Sequence, residues 1–146
     1  MTKLKNFLSK KDEEKIVDAI SQAEKNTSGE IRVHIEAHTD EDHFDHALKV
    51  FAQLEMHKTE LRNGVLIYIA VDDHQFVILG DKGINDVVSN DFWEQTKDVM
   101  QAHFRKGNFQ EGIVAGVLQA GEELKTHFPY QADDQDELSN EISKSS

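Results

Sequence analysis

One stretch, Asn63 to Asp86, limits what this chain can become more than any other. Asn63-Gly64 opens it, seven apolar residues run from Val65 to Val71, and Asp72-Asp73-His74-Gln75 follow. A second apolar run, Phe76 to Leu79, leads into Gly80-Asp81-Lys82-Gly83. Two short apolar runs joined by a polar turn predict a β-hairpin. In a hairpin Asp81 returns beside Asn63, while Asp72 and Asp73 sit at the far end. The turn therefore decides which polar side chains can share a site. The first run has no polar face, which predicts a central strand covered on both sides.

Upstream, Ser9 to Asp12 matches a capping box, and Ile16, Val17, Ile20 and Ala23 follow at helical spacing. Asn26-Thr27-Ser28-Gly29 breaks that helix. Residues Glu30 to Ala37 alternate strictly, which predicts a strand with Glu30, Arg32, His34 and Glu36 on a wet face. A polar loop from His38 to Asp42 then precedes a helical stripe of Phe44, Ala47, Leu48, Phe51 and Leu54. Strand, helix, strand in this order predicts a right-handed parallel crossover.

Downstream of Gly83 the chain reads as helical, with Phe92, Trp93, Thr96, Met100 and Phe104 on one face as core. Lys106-Gly107-Asn108 separates this helix from the next, with Asn108 and Glu111 as a cap pair. Phe109, Ile113, Val117, Ala120 and Leu124 form the next buried stripe, and Pro129 stops it. The spacing of Gly112 and Gly116 predicts close packing of this helix on a neighbour. The expected order is α-β-α-β-β-α-α, an α/β domain with helices on both faces of a small mixed sheet. We expect one domain over residues 1–128 and a flexible acidic tail over 129–146.

Bulk properties narrow the function classes. A chain of 146 residues, 38% apolar with a single proline, suits one domain with a sizeable core. The net charge of −12 argues against nucleic-acid binding by phosphate neutralisation. No apolar stretch approaches the roughly 20 residues of a membrane helix, and no secretory signal is visible, so a cytoplasmic location is expected. The absence of cysteine removes disulfides, thiolate metal sites and cysteine nucleophiles together.

The predicted topology divides the acidic residues between two edges. With the first two strands parallel and the third antiparallel, Glu30, Asn63, Asp81 and Asp86 converge on one edge. Three carboxylates and a carboxamide are the hard oxygen donors that calcium or magnesium takes, and ordinary turn chemistry is the competing explanation. The opposite edge gathers Asp40, Glu41 and Asp42 with Asp72 and Asp73. Ligands of open α/β sheets favour that carboxyl end, while a helix cap and a hairpin turn would account for the same residues. Asp40-Glu41-Asp42 is a poor match to the nucleophile-and-acid pair of haloacid-dehalogenase phosphatases, since no hydroxyl residue follows closely. No EF-hand loop is present either, because glycine and glutamate are missing at the sixth and twelfth positions from Asp81. His43 and His46, with His38 and Asp42, offer a zinc-compatible set, against which stands a solvated helix end.

Ser28-Gly29-Glu30-Ile31, Asn63-Gly64-Val65-Leu66, Gly80-Asp81 and Gly107-Asn108-Phe109 to Gly112 together resemble the TPM domain, over about residues 10 to 128. That family includes thylakoid-lumen proteins linked to photosystem II repair and many bacterial proteins. The resemblance implies a Rossmann-like α/β/α sandwich, divalent cation binding and, for some members, phosphomonoester hydrolysis. Its motif residues fall on Glu30, Asn63, Asp81 and Asp86, the set that the hairpin brings together. The expected chemistry is attack by metal-activated water on a small phosphomonoester, with Ca2+ or Mg2+ held by Asp81, Asp86 and Glu30. Asn63 would orient the phosphate, and Lys82 would neutralise developing charge. The alternative is a Ca2+- or Mg2+-binding module without catalysis.

Overall fold

In the computed structural model, residues 7–130 and 140–145 are described. Ser9 caps the first helix, α1 (Lys10–Glu24). Its hydroxyl accepts the Asp12 amide at 3.0 Å, and the Asp12 carboxylate accepts the Ser9 amide at 3.1 Å, which completes the predicted capping box. The first strand, β1 (Glu30–Glu36), leads into α2 (His43–Gln53), which is capped by Asp42. A short 3-10 turn at Met56–Lys58 precedes β2 (Gly64–Ala70), and the hairpin returns as β3 (Gln75–Gly80). Next come the short α3 (Lys82–Asn85), then α4 (Glu94–Arg105) and α5 (Phe109–Lys125). A final strand, β4 (Ser143–Ser145), closes the described chain.

The sheet order is β3-β2-β1-β4, with β2–β3 antiparallel and the other two pairings parallel. The predicted crossover and hairpin are both present. One face of the sheet carries Ile31, Val33, Ile35, Val65, Ile67, Ile69 and Ile78, packed with residues of α1, α4 and α5 into the larger core. The other face carries Leu66, Tyr68, Ala70 and Leu79 beneath Ala47, Val50 and Phe51 of α2. The result is an α/β/α sandwich whose central strand, β2, is buried along its whole length. The glycines of α5 act as the spacing predicted. A Cβ on Gly116 would lie 2.4 Å from the Met100 sulfur, and one on Gly112 would lie 2.6 Å from the Phe104 ring, so α4 rests directly against α5.

Four expectations need correction. The polar side of β1 is not wet: Glu30, His34 and Glu36 are only 3–4% exposed, because neighbouring structure covers both faces of the strand. Asn108 makes no side-chain cap; the break before α5 comes from Gly107, whose φ of +79° suits glycine. Helix α4 starts after Phe92 and Trp93, which sit in the preceding turn and pack edge-to-face. The fourth strand was not foreseen, since Ser-Lys-Ser carries no apolar pattern. It lies within the stretch expected to be a flexible acidic tail; residues 131–139 of that stretch are outside the described residues.

Gly83 marks where the site-bearing loops touch. Its amide donates to the Arg62 carbonyl at 2.8 Å, and a Cβ there would fall 2.2 Å from the Leu61 carbonyl oxygen. A backbone oxygen cannot swing aside as a side chain can, so Gly83→Ala is expected to cost about 1–3 kcal/mol. Thermal melting should show a drop of at least about 2–4 °C. An unchanged melting temperature would contradict this contact.

Candidate functional site

Register builds the first edge. Glu30 pairs with Gly64, and the Asp81 amide donates to the Gly64 carbonyl at 3.0 Å, so the three positions form a row across β1, β2 and the end of β3. Side chains alternate along strands, which puts Glu30 and Asp81 on the α2 side of the sheet. The residue between them is glycine and adds no side chain to that row. The Glu30 amide donates to the Asn63 carbonyl at 3.3 Å, and the Asn63 carboxamide reaches the Ser28 hydroxyl at 3.5 Å. Glu30, Asn63 and Asp81 are all buried.

Two cations stand at this edge. Arg62 grips Asp81 with two parallel bonds, Nε at 2.9 Å and a terminal nitrogen at 3.0 Å. This is the bidentate fork that guanidinium groups make with carboxylates. Asp81 also caps α3 by accepting the Lys82 amide at 2.7 Å. Lys82 Nζ lies 2.8 Å from Asp86, and both side chains are well exposed. Asp86 therefore sits one helical turn out from the buried group, paired with Lys82. Arg62 was absent from the predicted set. Its only sequence signal was adjacency to Asn63, since hairpin geometry returns Asp81 to that neighbourhood.

Does this donor set suit a divalent cation? Among the described residues, no group of three or more His, Asp or Glu forms a ready cage. Calcium, with six to eight oxygen ligands, would want one. Magnesium commonly keeps much of its water and takes one or two carboxylates plus substrate phosphate. Glu30 and Asp81, in one row with a side-chain-free position between them, fit that second pattern.

The opposite edge is built from histidines and carboxylates. Asp73, in the hairpin turn, receives His38 Nδ1 at 2.5 Å and His43 Nε2 at 2.8 Å, and also accepts the Thr39 amide at 3.1 Å. His38 reaches Asp40 through its other nitrogen at 2.6 Å. Deeper in, Glu36 joins His34 Nε2 at 3.0 Å, His46 Nε2 at 2.9 Å and the Tyr68 hydroxyl. His46 continues to Glu41, which also pairs with Lys49. The proposed set of His38, His43, His46 and Asp42 is thus divided. His38 and His43 share Asp73, His46 belongs to Glu36 and Glu41, and Asp42 caps α2. His34, Glu36 and Tyr68 were missed as site residues; a tyrosine hydroxyl inside a fully apolar run was the available signal, because buried hydroxyls need partners.

Electrostatics follow from these contacts. Hydrogen bonds from His38 and His43 hold the Asp73 carboxyl well below the usual carboxylate range. Bonds to Asp73 and Asp40 push the His38 imidazole up to about 8. Burial lowers the His34 pKa more than Glu36 raises it. Burial would also lower that of His46, but Glu41 and Glu36 outweigh it and hold it above its ordinary value. Burial and the Glu36 carboxylate raise the Tyr68 phenol well above the usual range.

The His38 contribution to stability is complete below its unfolded pKa near 6.5 and is lost as pH rises through about 8. The Asp73 contribution has the opposite sense. It is complete above the unfolded carboxyl value of about 3.9 and is lost as pH falls through the depressed folded value. Together they tie the hairpin turn to the β1–α2 loop most firmly between about pH 4 and 6.5. An NMR titration of the imidazoles should give His38 a midpoint of about 8. Asp73→Asn should move that midpoint down toward about 6.5. An ordinary midpoint in the parent chain would show that the His38–Asp73 contact does not persist in solution.

Solved structures share this architecture. The NMR structure of the BA42 protein from the psychrophilic bacterium Bizionia argentinensis is similar at 57% identity and a TM-score of 0.91, covering 95% of this chain and 96% of that one. An N-terminal domain from P. gingivalis, also solved by NMR, matches at 23% identity and a TM-score of 0.68, over 86% and 82% of the two chains. The N-terminal domain of cg2496 from Corynebacterium glutamicum matches at 11% and 0.62, over 92% and 79%. These last two show the fold alone. No curated protein matches the chain. The model of the TPM domain matches residues 1–123, and the chain belongs to that family.

Proposed function

We propose that the chain is a divalent-metal-dependent phosphatase acting on small phosphomonoesters at the Glu30–Asp81 edge. One observation carries the reading: two buried carboxylates share a row across a glycine, with Arg62 and Lys82 beside them. Membership in the TPM domain family supports the reaction class. Magnesium fits the donor set better than calcium, with Glu30 and Asp81 as anionic ligands, Asn63 as a neutral one and Asp86 as an outer carboxylate. When bound, the cation would supply Lewis acidity toward a phosphoryl oxygen and acidify water.

The chain's own residues do the rest. Arg62 offers a planar fork matched to phosphate as well as to carboxylate. A phosphoryl group taking that fork would release Asp81 for the cation, so the two ligands would enter together. Lys82 would trade Asp86 for a phosphoryl oxygen and act as a point charge. Glycine-turn amides around Gly64 and Gly83 add neutral donors. An acidic chain of net charge −12 suits a small phosphomonoester with its cation better than a nucleic acid. Among the described residues no helix is long and apolar enough to cross a membrane, and we place the reaction in the cytoplasm on the strength of the cysteine-free composition.

p-Nitrophenyl phosphate should be turned over in Mg2+, not in EDTA, and Asp81→Asn should lower the rate about 100-fold. Turnover that survives metal stripping, or Asp81→Asn at the parent rate, would overturn the mechanism. The completeness of the Arg62–Asp81 pair favours a second reading, a non-catalytic module in which a cation displaces Arg62 and orders the loops. There, Mg2+ at about 100 times its dissociation constant would add roughly 2.7 kcal/mol of stability with no turnover. Amide-shift mapping in a Mg2+ titration locates the ion under either reading. Shifts at Glu30, Asn63 and Asp81 are expected; shifts at His38, Asp40 and Asp73 would move the site to the other edge.

A further inference from the structure

A cavity of about 380 Å³ opens beside the hairpin turn, on the sheet face that carries α4 and α5. It lies at the carboxyl end of the parallel strands, away from the row of Glu30 and Asp81. Phe7, Phe76, Phe104 and Phe109 line it. Their rings meet at tilted and edge-to-face angles, 5.0 to 5.8 Å between centroids, and leave aromatic surface turned into the space. Its volume is within the range of about 300–1,000 Å³ that small-molecule sites occupy. An aromatic group of one or two rings fits within it with room for its polar head.

The rim carries the second observation. His74, Gln101 and Arg105 border the same cavity. Among the described residues none of these three side chains has a hydrogen bond or ion pair. Arg105 is one of several cations that pair with no carboxylate among the described residues, and its place over the aromatic cavity sets it apart from them. Arg62, Lys82, Lys49, Lys58, Lys125 and Lys144 each hold a carboxylate. With 28 acidic residues against 16 basic ones, carboxylates are plentiful, yet the guanidinium over the aromatic cavity has none. His74 is set there by the turn, at a φ of +54° that a non-glycine residue rarely adopts.

We propose that this cavity binds a small aromatic anion, a flat ring system carrying one carboxylate, sulfonate or phosphate. The ring would pack edge-to-face among the phenylalanines, as aromatic groups prefer. Its anionic head would take the Arg105 fork, with His74 and Gln101 as further hydrogen-bonding groups. The net charge of −12 repels anions at long range, so binding depends on this local cation.

The test uses the whole chain with 2-naphthoate and its neutral counterpart 2-naphthalenemethanol, followed by amide and side-chain NMR shifts. Saturable shifts at Phe76, Gln101, Phe104 and Phe109 are expected with naphthoate. Arg105→Gln, an exposed position, should weaken naphthoate about tenfold while leaving the alcohol within about twofold. Gln101→Trp, also exposed, narrows the cavity mouth and should weaken both probes alike. Equal loss of both probes in Arg105→Gln, or no saturation at these residues below about 5 mM, a weak limit on the affinity scale, would overturn the proposal. So would the same shifts appearing on concentrating the unliganded chain, since a second copy would then be the occupant.

Discussion

The parallel pairing of β1 with β2 governs everything else in this molecule. Seven residues of each strand run in step, from Glu30 opposite Gly64 to Glu36 opposite Ala70. Because β3 returns antiparallel on β2, each end of that pair collects side chains from three strands or their loops. The amino end receives Glu30, Asn63 and Asp81; the carboxyl end receives the Glu36 and Asp73 networks. A one-residue slip would turn every side chain of β1 to the wrong face. It would exchange Ile31, Val33 and Ile35 with Glu30, Arg32, His34 and Glu36, and both the core and the polar network would be lost together.

Much of this was legible from the residues. The uninterrupted run Val65 to Val71 marked the central strand, the four polar residues after it marked the hairpin, and Ser9 with Asp12 marked a helix start. The convergence of Glu30, Asn63 and Asp81 followed from those elements. The burial of His34 and Glu36 did not. Alternation reveals the period of a strand but not what covers its polar side, and here the cover depends on tertiary packing. The partners of Asp73 were equally hidden, since His38 and His43 lie 30 and more residues away in sequence. Arg62 escaped because a cation beside a turn has no pattern of its own; only the folded hairpin reveals that Asp81 faces it.

The two edges differ in how they handle charge. At the amino end, carboxylates answer to arginine and lysine, whose charges persist at neutral pH. At the carboxyl end they answer mainly to histidines, whose charges change in the physiological range, with Lys49 on Glu41 as the exception. Glu36 shows the cost of the second arrangement. It is nearly inaccessible to water and draws on two imidazoles and a phenol to remain hydrogen-bonded. Removing any one of them would leave buried polar atoms without a full complement of partners.

The outer side of β1 is the boundary between the domain and its surroundings. A bare strand edge recruits other strands and seeds aggregation. Here it is shut at two points by different means. Near its start the Glu24 carboxylate accepts the Ile31 amide at 2.9 Å, so a helix residue occupies a position another strand would take. Near its end, His34 to Glu36 pair with Ser143 to Ser145, and the Ser143 hydroxyl bonds His34 Nδ1 at 2.9 Å. The three-residue strand near the carboxyl terminus is therefore a guard against self-association. A chain shortened before Asn140 would lose Ile142 from the larger core and the Ser143 hydroxyl from His34, and would expose strand backbone ready to join a second molecule.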